Sequence, residues 1–278
     1  MTVRIVTDST CDLPAEIVSQ LGISVMPLYI NIGDKGYLDG VEITRKDFYT
    51  SLPNYPVHPT TAAPSPAKFR DLYESLARQG ATEILSIHIS ISLSATLDSA
   101  CGGAQETISV PVTVFDSRQL TLGMGFLVET AAKLAMQGRT VKEIVPVLEE
   151  QILRTRVFTA LDTLEFLKRS GRMNGVMAGL GSFLQLKPIL TMYDGKPGAE
   201  RVRTRERATQ RILHHLRDMG PLERVAILHS NAPDQVAEIR ERAAALLPTG
   251  EVLAVDITPV LGAHIGPGII GFAAVSKH

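Results

Sequence analysis

Hydroxyl side chains, glycines and a histidine concentrate in four short segments of the 278-residue chain, at positions 7–10, 60–66, 90–96 and 258–268. Such side chains bind anions or carboxylates when several of them converge. In α/β sheets, ligands bind where strands deliver their carboxyl ends into loops. The four segments therefore indicate a polar binding site assembled from distant parts of the sequence.

Helix capping is a competing interpretation for two of these segments. Ser, Thr and Asp are common N-caps, so segment 7–10 also fits the start of a helix. Ser65 before Pro66 fits an N-cap followed by the first helical residue. Thr61 lies upstream in a Pro-rich stretch, and capping does not explain it.

The other two segments allow close approach of a ligand. Segment 90–96 precedes a predicted helix, where hydroxyls can either cap the free N–H groups or help them to bind an anion. Segment 258–268 is predicted to be a glycine-rich loop between two strands, which lets backbone approach a ligand. It carries His264, for which we favour a functional role over a structural one.

Common enzyme signatures are missing from the sequence. There is no G-x-x-x-x-G-K-[ST] phosphate loop, no G-x-S-x-G nucleophile elbow and no metal-ligand spacing of His, Cys, Asp or Glu. The two cysteines, Cys11 and Cys101, lack paired spacing and are predicted to be free thiols in a reducing compartment. The sequence favours binding over catalysis and predicts neither a metal nor another cofactor.

The composition is that of a globular protein without a strong charge field. Hydrophobic residues make up 45% and charged residues 21%, with a formal net charge of -1, so nucleic acid is a poor default partner. No apolar run approaches the ~20 residues of a membrane span, and the N-terminus lacks the core of a signal peptide. We expect a cytoplasmic protein without stable membrane insertion, and a monomer, since no coiled-coil seam occurs.

Strand and helix patterns alternate along the chain. In the first half we predict strands at 3–7, 24–32, 83–89 and 112–116, and helices at 13–21, 66–79, 94–106, 123–137 and 141–154. This order predicts an α/β domain with a largely parallel sheet.

The second half predicts another α/β domain. Strands are predicted at 157–160, 186–193, 224–230, 251–259 and 269–276, and helices at 164–169, 203–219 and 234–247. The turn at 194–197 indicates a β-hairpin. The predicted N-terminal domain covers 1–155 and the C-terminal domain covers 156–278.

The ordered set of motifs resembles the DegV family over nearly the whole chain. The resemblance rests on segments 7–9, 12–14, 61–66, 93–96, 116–117, 171–172, 187–190, 194–195 and 258–268. Members of that family bind fatty acids, and in many bacteria they are the B subunit of fatty acid kinase, which presents an acyl chain to a separate ATP-using subunit. The resemblance implies a two-domain α/β fold with the ligand held between the domains.

The resemblance also implies roles for individual residues at the head group. Thr61 and Ser94 would hydrogen-bond the carboxylate of a long-chain fatty acid, with His264 close to it. Ala95 and Thr96 belong to the same ligand-binding segment as Ser94. No catalytic residue is implied, because the phosphate transfer would take place on the partner.

Two arginines and three alanines complete this expectation. Arg203 matches a family arginine that presents the head group to the kinase, and Arg172 is a further basic candidate. Ala62 and Ala63 stand where the family often has Ser-Gln, and Ala95 where it often has Gly. These departures leave open the number of hydrogen bonds and the preferred acyl chain.

Two other functions stay open at this point. An acyl-group hydrolase would use Ser94 and His264, and would need a third group to orient His264. An interaction module would use its polar loops only to cap helices. Apolar segments 123–135 and 176–186 fit the wall of an acyl tunnel or an ordinary core, and we favour the core.

Overall fold

The computed structural model describes residues 2–172 and 187–278. Its first 154 residues form seven strands and six α-helices, with short 3-10 turns at Ser9–Cys11 and Leu52–Asn54. In chain order these are β1 (Val3–Asp8), α1 (Ala15–Gln20), β2 (Ser24–Met26), β3 (Tyr29–Ile32), β4 (Lys35–Leu38), α2 (Arg45–Ser51), β5 (Thr60–Ala62), α3 (Pro66–Arg78), β6 (Glu83–His88), α4 (Thr96–Glu106), β7 (Val112–Asp116), α5 (Thr121–Met136) and α6 (Val141–Arg154).

The first sheet is parallel, as the alternation of strands and helices predicts, with strand order β2-β1-β6-β7. Helices cover both of its faces, which is why its central strands are apolar on both sides. Val6 packs with Phe69 and Tyr73 of α3, whereas Ile5 on the other face packs in the cluster that contains α5.

A second, antiparallel sheet with strand order β4-β3-β5 corrects the predicted strand at 24–32. That stretch is two strands in two different sheets, because Pro27 has no N–H to continue a ladder between them. Strand β4 and helix α2 were not predicted. Phe48 and Tyr49 of α2 are buried against residues of the small sheet.

The remaining described chain contains six strands and four α-helices. These are β8 (Thr155–Ala160), α7 (Glu165–Arg169), β9 (Lys187–Tyr193), β10 (Lys196–Val202), α8 (Arg205–Asp218), β11 (Leu222–His229), α9 (Pro233–Ala243), β12 (Leu253–Asp256), α10 (Pro259–Ile265) and β13 (Ile270–Ser276).

The third sheet has the order β10-β9-β8-β13-β11-β12 and is mostly antiparallel, with one parallel pair, β11 and β12. The predicted hairpin at 194–197 is confirmed as the β9–β10 turn, where Gly195 has a φ of +72°. Helices α8 and α9 cover one face of this sheet through a cluster that includes Ile189, Ile212 and Phe272.

The other face of the third sheet shares a core with the parallel sheet. Helix α5 lies in that core, and most of its residues from Thr121 to Ala132 are buried. Segment 123–135 is therefore core, as favoured from the sequence, whereas segment 176–186 lies outside the described residues. No helix among residues 2–172 and 187–278 is long and apolar enough to cross a membrane.

Segment 258–268 is not the loop that its glycines predicted. Residues 259–265 form helix α10, with Pro259 at its first position, where the missing N–H costs nothing. Gly262 is buried, and a methyl group added there would collide with the ring of Tyr49. Gly266, with a φ of +78°, ends the helix. A glycine pattern thus reflects close helix packing here.

The α/β fold class is confirmed. The third sheet begins at Thr155, next to the predicted boundary between 1–155 and 156–278. Helix α10 belongs to the second half of the chain but packs against the first, since Val260 and Ala263 pack with Ile30 and Phe48. The division into two domains therefore stays a prediction.

Candidate functional site

A cavity of about 540 Å³ lies between the two halves of the chain. Its apolar wall includes Leu28, Ile89, Leu167 and Val260. Polar groups line one part of it, and they come from all four segments singled out in the sequence: Thr10, Thr61, Ser92, Ser94 and His264. The fold brings these segments together because β1, β5, β6 and α10 all end at this cavity.

Thr61 and His264 are in direct contact in the cavity wall. Thr61 Oγ1 lies 2.9 Å from His264 Nε2, although 203 residues separate them in the sequence. Strand β5 holds Thr61 in the small sheet opposite Ile30, and α10 carries His264 in its last turn. Nε2, one of the two ring nitrogens of His264, thus has a hydrogen-bond partner within the protein.

The second ring nitrogen of His264 has no such partner. His264 Nδ1 is buried and lacks a hydrogen-bond partner among the described residues. Burial lowers the pKa of His264 to about 4, with smaller contributions from the nearby charges of Arg172 and His58. The imidazole is therefore neutral at physiological pH, and Nδ1 is its ring nitrogen without a hydrogen-bond partner among the described residues.

Ser94 and Thr96 form a second hydroxyl pair at the start of α4. Ser94 Oγ lies 2.8 Å from Thr96 Oγ1, and Thr96 N–H reaches Ser94 Oγ at 3.3 Å. Ser94 and Ala95 line the cavity, whereas Thr96 is fully buried beneath them and is not among the described lining residues. Thr96 thus supports Ser94 and does not itself face the cavity.

The two predicted arginines lie in different places. Arg172 is exposed and lines the cavity, close enough for its charge to act on His264. Arg203 is exposed between β10 and α8 and is not among the described residues that line the cavity. Ala62 and Ala63 lie in the cavity wall beside Thr61.

A buried network that the sequence did not predict supports the wall at Thr10. Asp8 accepts hydrogen bonds from the Thr10 N–H and hydroxyl, from Ile89 N–H at 3.1 Å and from His88 Nδ1 at 2.9 Å. His88 Nε2 is hydrogen-bonded to the Ser86 hydroxyl, which is hydrogen-bonded in turn to the Tyr73 hydroxyl. Because Asp8 is fully buried and already accepts four bonds, its role is structural.

A second unpredicted cluster fixes the other end of α10. Thr258 donates its N–H to Asp12 at 2.9 Å and its hydroxyl to Asp39. Arg45 pairs with Asp12 at 3.0 Å, and Thr121 donates to the same carboxylate at 2.7 Å. Thr258 is a motif residue in the sequence, but the two carboxylates that bind it lie on distant loops.

A smaller chamber of about 70 Å³ lies next to the main cavity. Both are lined by Leu93, Leu120, Leu190, Leu261 and Ile265. Beyond these residues the chamber runs between α5 and the third sheet, where its lining is mostly apolar with three threonines. We call the main cavity, which holds the hydroxyl and imidazole side chains, the head chamber, and the smaller one the tail chamber.

The hydroxyl and imidazole side chains of the site form two separate pairs. Ser94 bonds to Thr96 and His264 bonds to Thr61, so the structure does not pair Ser94 with His264 as a nucleophile and its base. No described residue orients His264 through Nδ1. Among residues 2–172 and 187–278, no group of three or more His, Cys, Asp or Glu could hold a metal ion.

The fold and the site define a class: an α/β protein with two adjacent, mainly apolar cavities and a group of hydroxyl and imidazole side chains in the wall of the larger one. Residues 2–277 match the family model described as "Uncharacterised protein, DegV family". The chain belongs to the DegV family, as the motifs in the sequence indicated.

Relatives and solved structures agree over the full length. A DegV domain-containing protein of Streptomyces coelicolor is 35% identical, covering 99% of each chain. A DegV family protein from Thermus thermophilus, whose structure is reported for fatty acid binding, is 38% identical with a TM-score of 0.90, covering 99% of this chain and 100% of that one. DegV from Bacillus subtilis, reported as a fatty acid binding protein, is 32% identical with a TM-score of 0.92, covering 100% of both.

Proposed function

We propose that this protein binds one long-chain fatty acid, with its carboxylate in the head chamber and its acyl chain directed into the tail chamber. The observation that carries the proposal is a pair of cavities that share five apolar lining residues, one with hydroxyls and a neutral imidazole in its wall and the other with a mostly apolar lining. The fatty acid binding reported for the Thermus thermophilus and Bacillus subtilis proteins supports it.

Thr61, Ser94 and His264 are the proposed partners of the carboxylate. The Ser94 hydroxyl can donate one hydrogen bond to it. The Thr61–His264 pair can donate a second one, either from the Thr61 hydroxyl when His264 Nε2 carries the ring proton, or from His264 Nδ1–H when Thr61 donates to Nε2. Arg172 contributes positive charge at the same end. Each hydrogen bond to a charged group is worth about 1.5–3 kcal/mol, so the polar end fixes which end of the ligand lies there.

The apolar wall supplies most of the affinity in this proposal. About 15 buried methylenes at ~0.8 kcal/mol each give roughly 12 kcal/mol. Association takes back roughly 4–15 kcal/mol in lost motion. The tunnel must therefore enclose nearly the whole chain, which requires both chambers.

The proposed partner is the catalytic subunit of a fatty acid kinase, to which this protein presents the bound carboxylate. Arg203 is exposed and outside the described cavity lining, which fits a role in contact with a second protein and does not fit ligand binding. The protein itself would carry out no reaction, and it would act as a cytoplasmic monomer.

Mass spectrometry of an organic extract from the purified protein tests fatty acid binding. We expect a stoichiometric long-chain fatty acid. The double variant Thr61→Ala/Ser94→Ala should bind at least tenfold more weakly, since two charge-assisted bonds are lost. Thr60→Ala is the matched control, because Thr60 is the exposed neighbour of Thr61 on β5. A clean extract and no thermal shift with added fatty acids would reject the proposal.

The role of Arg203 is tested separately. Arg203→Ala should impair acyl phosphate formation in the presence of the kinase subunit and leave the dissociation constant of the fatty acid unchanged. An equal loss of acyl phosphate formation and of fatty acid binding would contradict a role of Arg203 in presentation.

A further inference from the structure

The far end of the tail chamber is formed by a row of three side chains across the third sheet. Met192 of β9 lies opposite Val157 of β8 on one side and opposite Pro197 of β10 on the other. Side chains of directly opposite residues share one face of a sheet. All three line the tail chamber, and none is among the described lining residues of the head chamber.

The direction along β9 identifies this row as the distal end. Leu190 borders both chambers, whereas Met192, on the same face two residues later, borders only the tail chamber. Two residues of a strand span roughly 6.6 Å. An acyl chain that enters between Leu93, Leu120 and Leu261 therefore passes Leu190 first and meets Met192 last.

The hairpin that carries this row is fixed to the first half of the chain. Gly195 in the turn donates its N–H to the carbonyl oxygen of Arg118 at 3.0 Å. The Arg118 guanidinium reaches Asp194 at 3.1 Å and Glu149 at 3.0 Å. Although β10 is the edge strand, the turn holds the distal row in place against α5.

From this geometry we propose that Met192 is the stop against which the terminal methyl group of the acyl chain packs, so that its size sets the longest chain the protein accepts. The inference rests on the proposed function and adds to it the determinant of acyl length. Met192 is 2% exposed, so its side chain is almost completely shielded from solvent. Methionine is unbranched and flexible, which lets it close the end of a chamber of irregular shape.

Three substitutions at this position test the stop, with saturated fatty acids from dodecanoic to docosanoic acid as the probes. Met192→Ala opens the end, and the acid that binds most tightly becomes longer. Each additional buried methylene tightens Kd about fourfold, which corresponds to ~0.8 kcal/mol. Met192→Phe shifts the optimum to shorter acids. Met192→Leu, which nearly conserves volume, keeps the wild-type optimum.

Ile189→Ala is the matched control for a change in core packing. Ile189 lies on the same strand, is fully buried, and packs against α8 on the opposite face, away from both chambers. Its truncation lowers the unfolding temperature as Met192→Ala does, but leaves the preferred acyl length unchanged. Calorimetric titration of delipidated protein gives Kd for each acid, and thermal unfolding gives the stability.

The outcomes separate this inference from the proposed function. If wild-type protein binds the acids and Met192→Ala, Met192→Phe and Ile189→Ala all keep its optimum, the stop lies elsewhere and the inference is overturned, while fatty acid binding stands. If the wild-type protein binds no acid of the series, the proposed function fails and the inference fails with it.

Discussion

The two ends of helix α10 hold polar groups in opposite ways. At the Thr258 end, the carboxylates Asp12 and Asp39 are buried and accept hydrogen bonds from Thr258 and neighbouring side chains. At the His264 end, the imidazole has one protein partner, Thr61, and one nitrogen without a partner in the described part of the chain. The helix therefore runs from an anchor, at the Thr258 end, to the proposed binding site, at the His264 end.

Burial acts on both ends, but it has different consequences. It raises the pKa of Asp39 to about 6 and lowers the pKa of His264 to about 4, in each case because the charged form is poorly solvated. At the anchor, Asp39 with its pKa of about 6 is mostly ionised at physiological pH, and hydrogen bonds from Ser9 and Thr258 together with the charge of Arg45 favour the ionised form. At the binding end the group stays neutral, and a ligand can supply the charge.

The largest expected loss of stability comes from Asp12→Ala, which removes a carboxylate of the anchor. Thr121 and the Thr258 N–H would each lose a buried acceptor, at about 1–3 kcal/mol apiece, and Arg45 would lose its partner. We expect a loss of about 3–5 kcal/mol in the free energy of unfolding, measured by urea denaturation.

Two variants control for the Asp12 result. Asp12→Asn tolerates the backbone φ of 54° and keeps one acceptor, so it should cost clearly less. Glu241→Ala removes an exposed carboxylate on α9 and should change stability by no more than about 0.5 kcal/mol. Equal effects of Asp12→Ala and Glu241→Ala would show that the anchor contributes nothing.

The second prediction concerns Asp39→Asn and the pH dependence of stability. With a folded pKa of about 6 and an ordinary value of 3.8, Asp39 binds more protons in the folded chain between these pH values. Its contribution therefore falls by about 3 kcal/mol as pH rises from 3.8 to 6. Asp39→Asn should remove this fall, so that stability between pH 4 and 6 rises more steeply with pH than in the wild type. An unchanged pH profile would contradict the raised pKa.

The third prediction is the opposite slope at the other end of the helix. His264, with a folded pKa of about 4 and an ordinary value of 6.5, binds more protons in the unfolded chain between these values. Its contribution to stability is present above pH 6.5 and is lost as pH falls toward 4, by about 3 kcal/mol. His264→Gln in delipidated protein should flatten this loss. His214→Gln, at an exposed helical position, is the control and should leave the slope in place.

The sequence predicted the binding end of α10 better than the anchor. Thr61 stood out because helix capping could not explain it, and Ser94 because hydroxyls precede a helix. These are local signals. The contact between Thr61 and His264 is not local, because the two residues are 203 positions apart in the sequence and two sheets and a helix must pack before their side chains meet.

The anchor was not predicted from the sequence, because its contacts also join residues that are distant along the chain. Asp39 follows β4 and Arg45 begins α2, in a region with no clear periodicity. That region is ordered by burial against Val260 and Ala263, which lie more than 200 residues away. Likewise, Gly262 suggests a loop until its contact with Tyr49 makes clear that it allows a helix to pack closely.

The smallest expected effect concerns the charge of Arg172, which acts on His264 at the proposed binding end of α10. Arg172 lowers the pKa of His264, but less than burial does. In delipidated protein, Arg172→Gln should raise the pKa of His264 modestly and keep it below 6.5, as followed by NMR titration of the imidazole. Arg203→Gln, outside the described cavity lining, should leave the titration unchanged. If both variants leave it unchanged, burial alone keeps His264 neutral, and Arg172 acts on the ligand and not on the histidine.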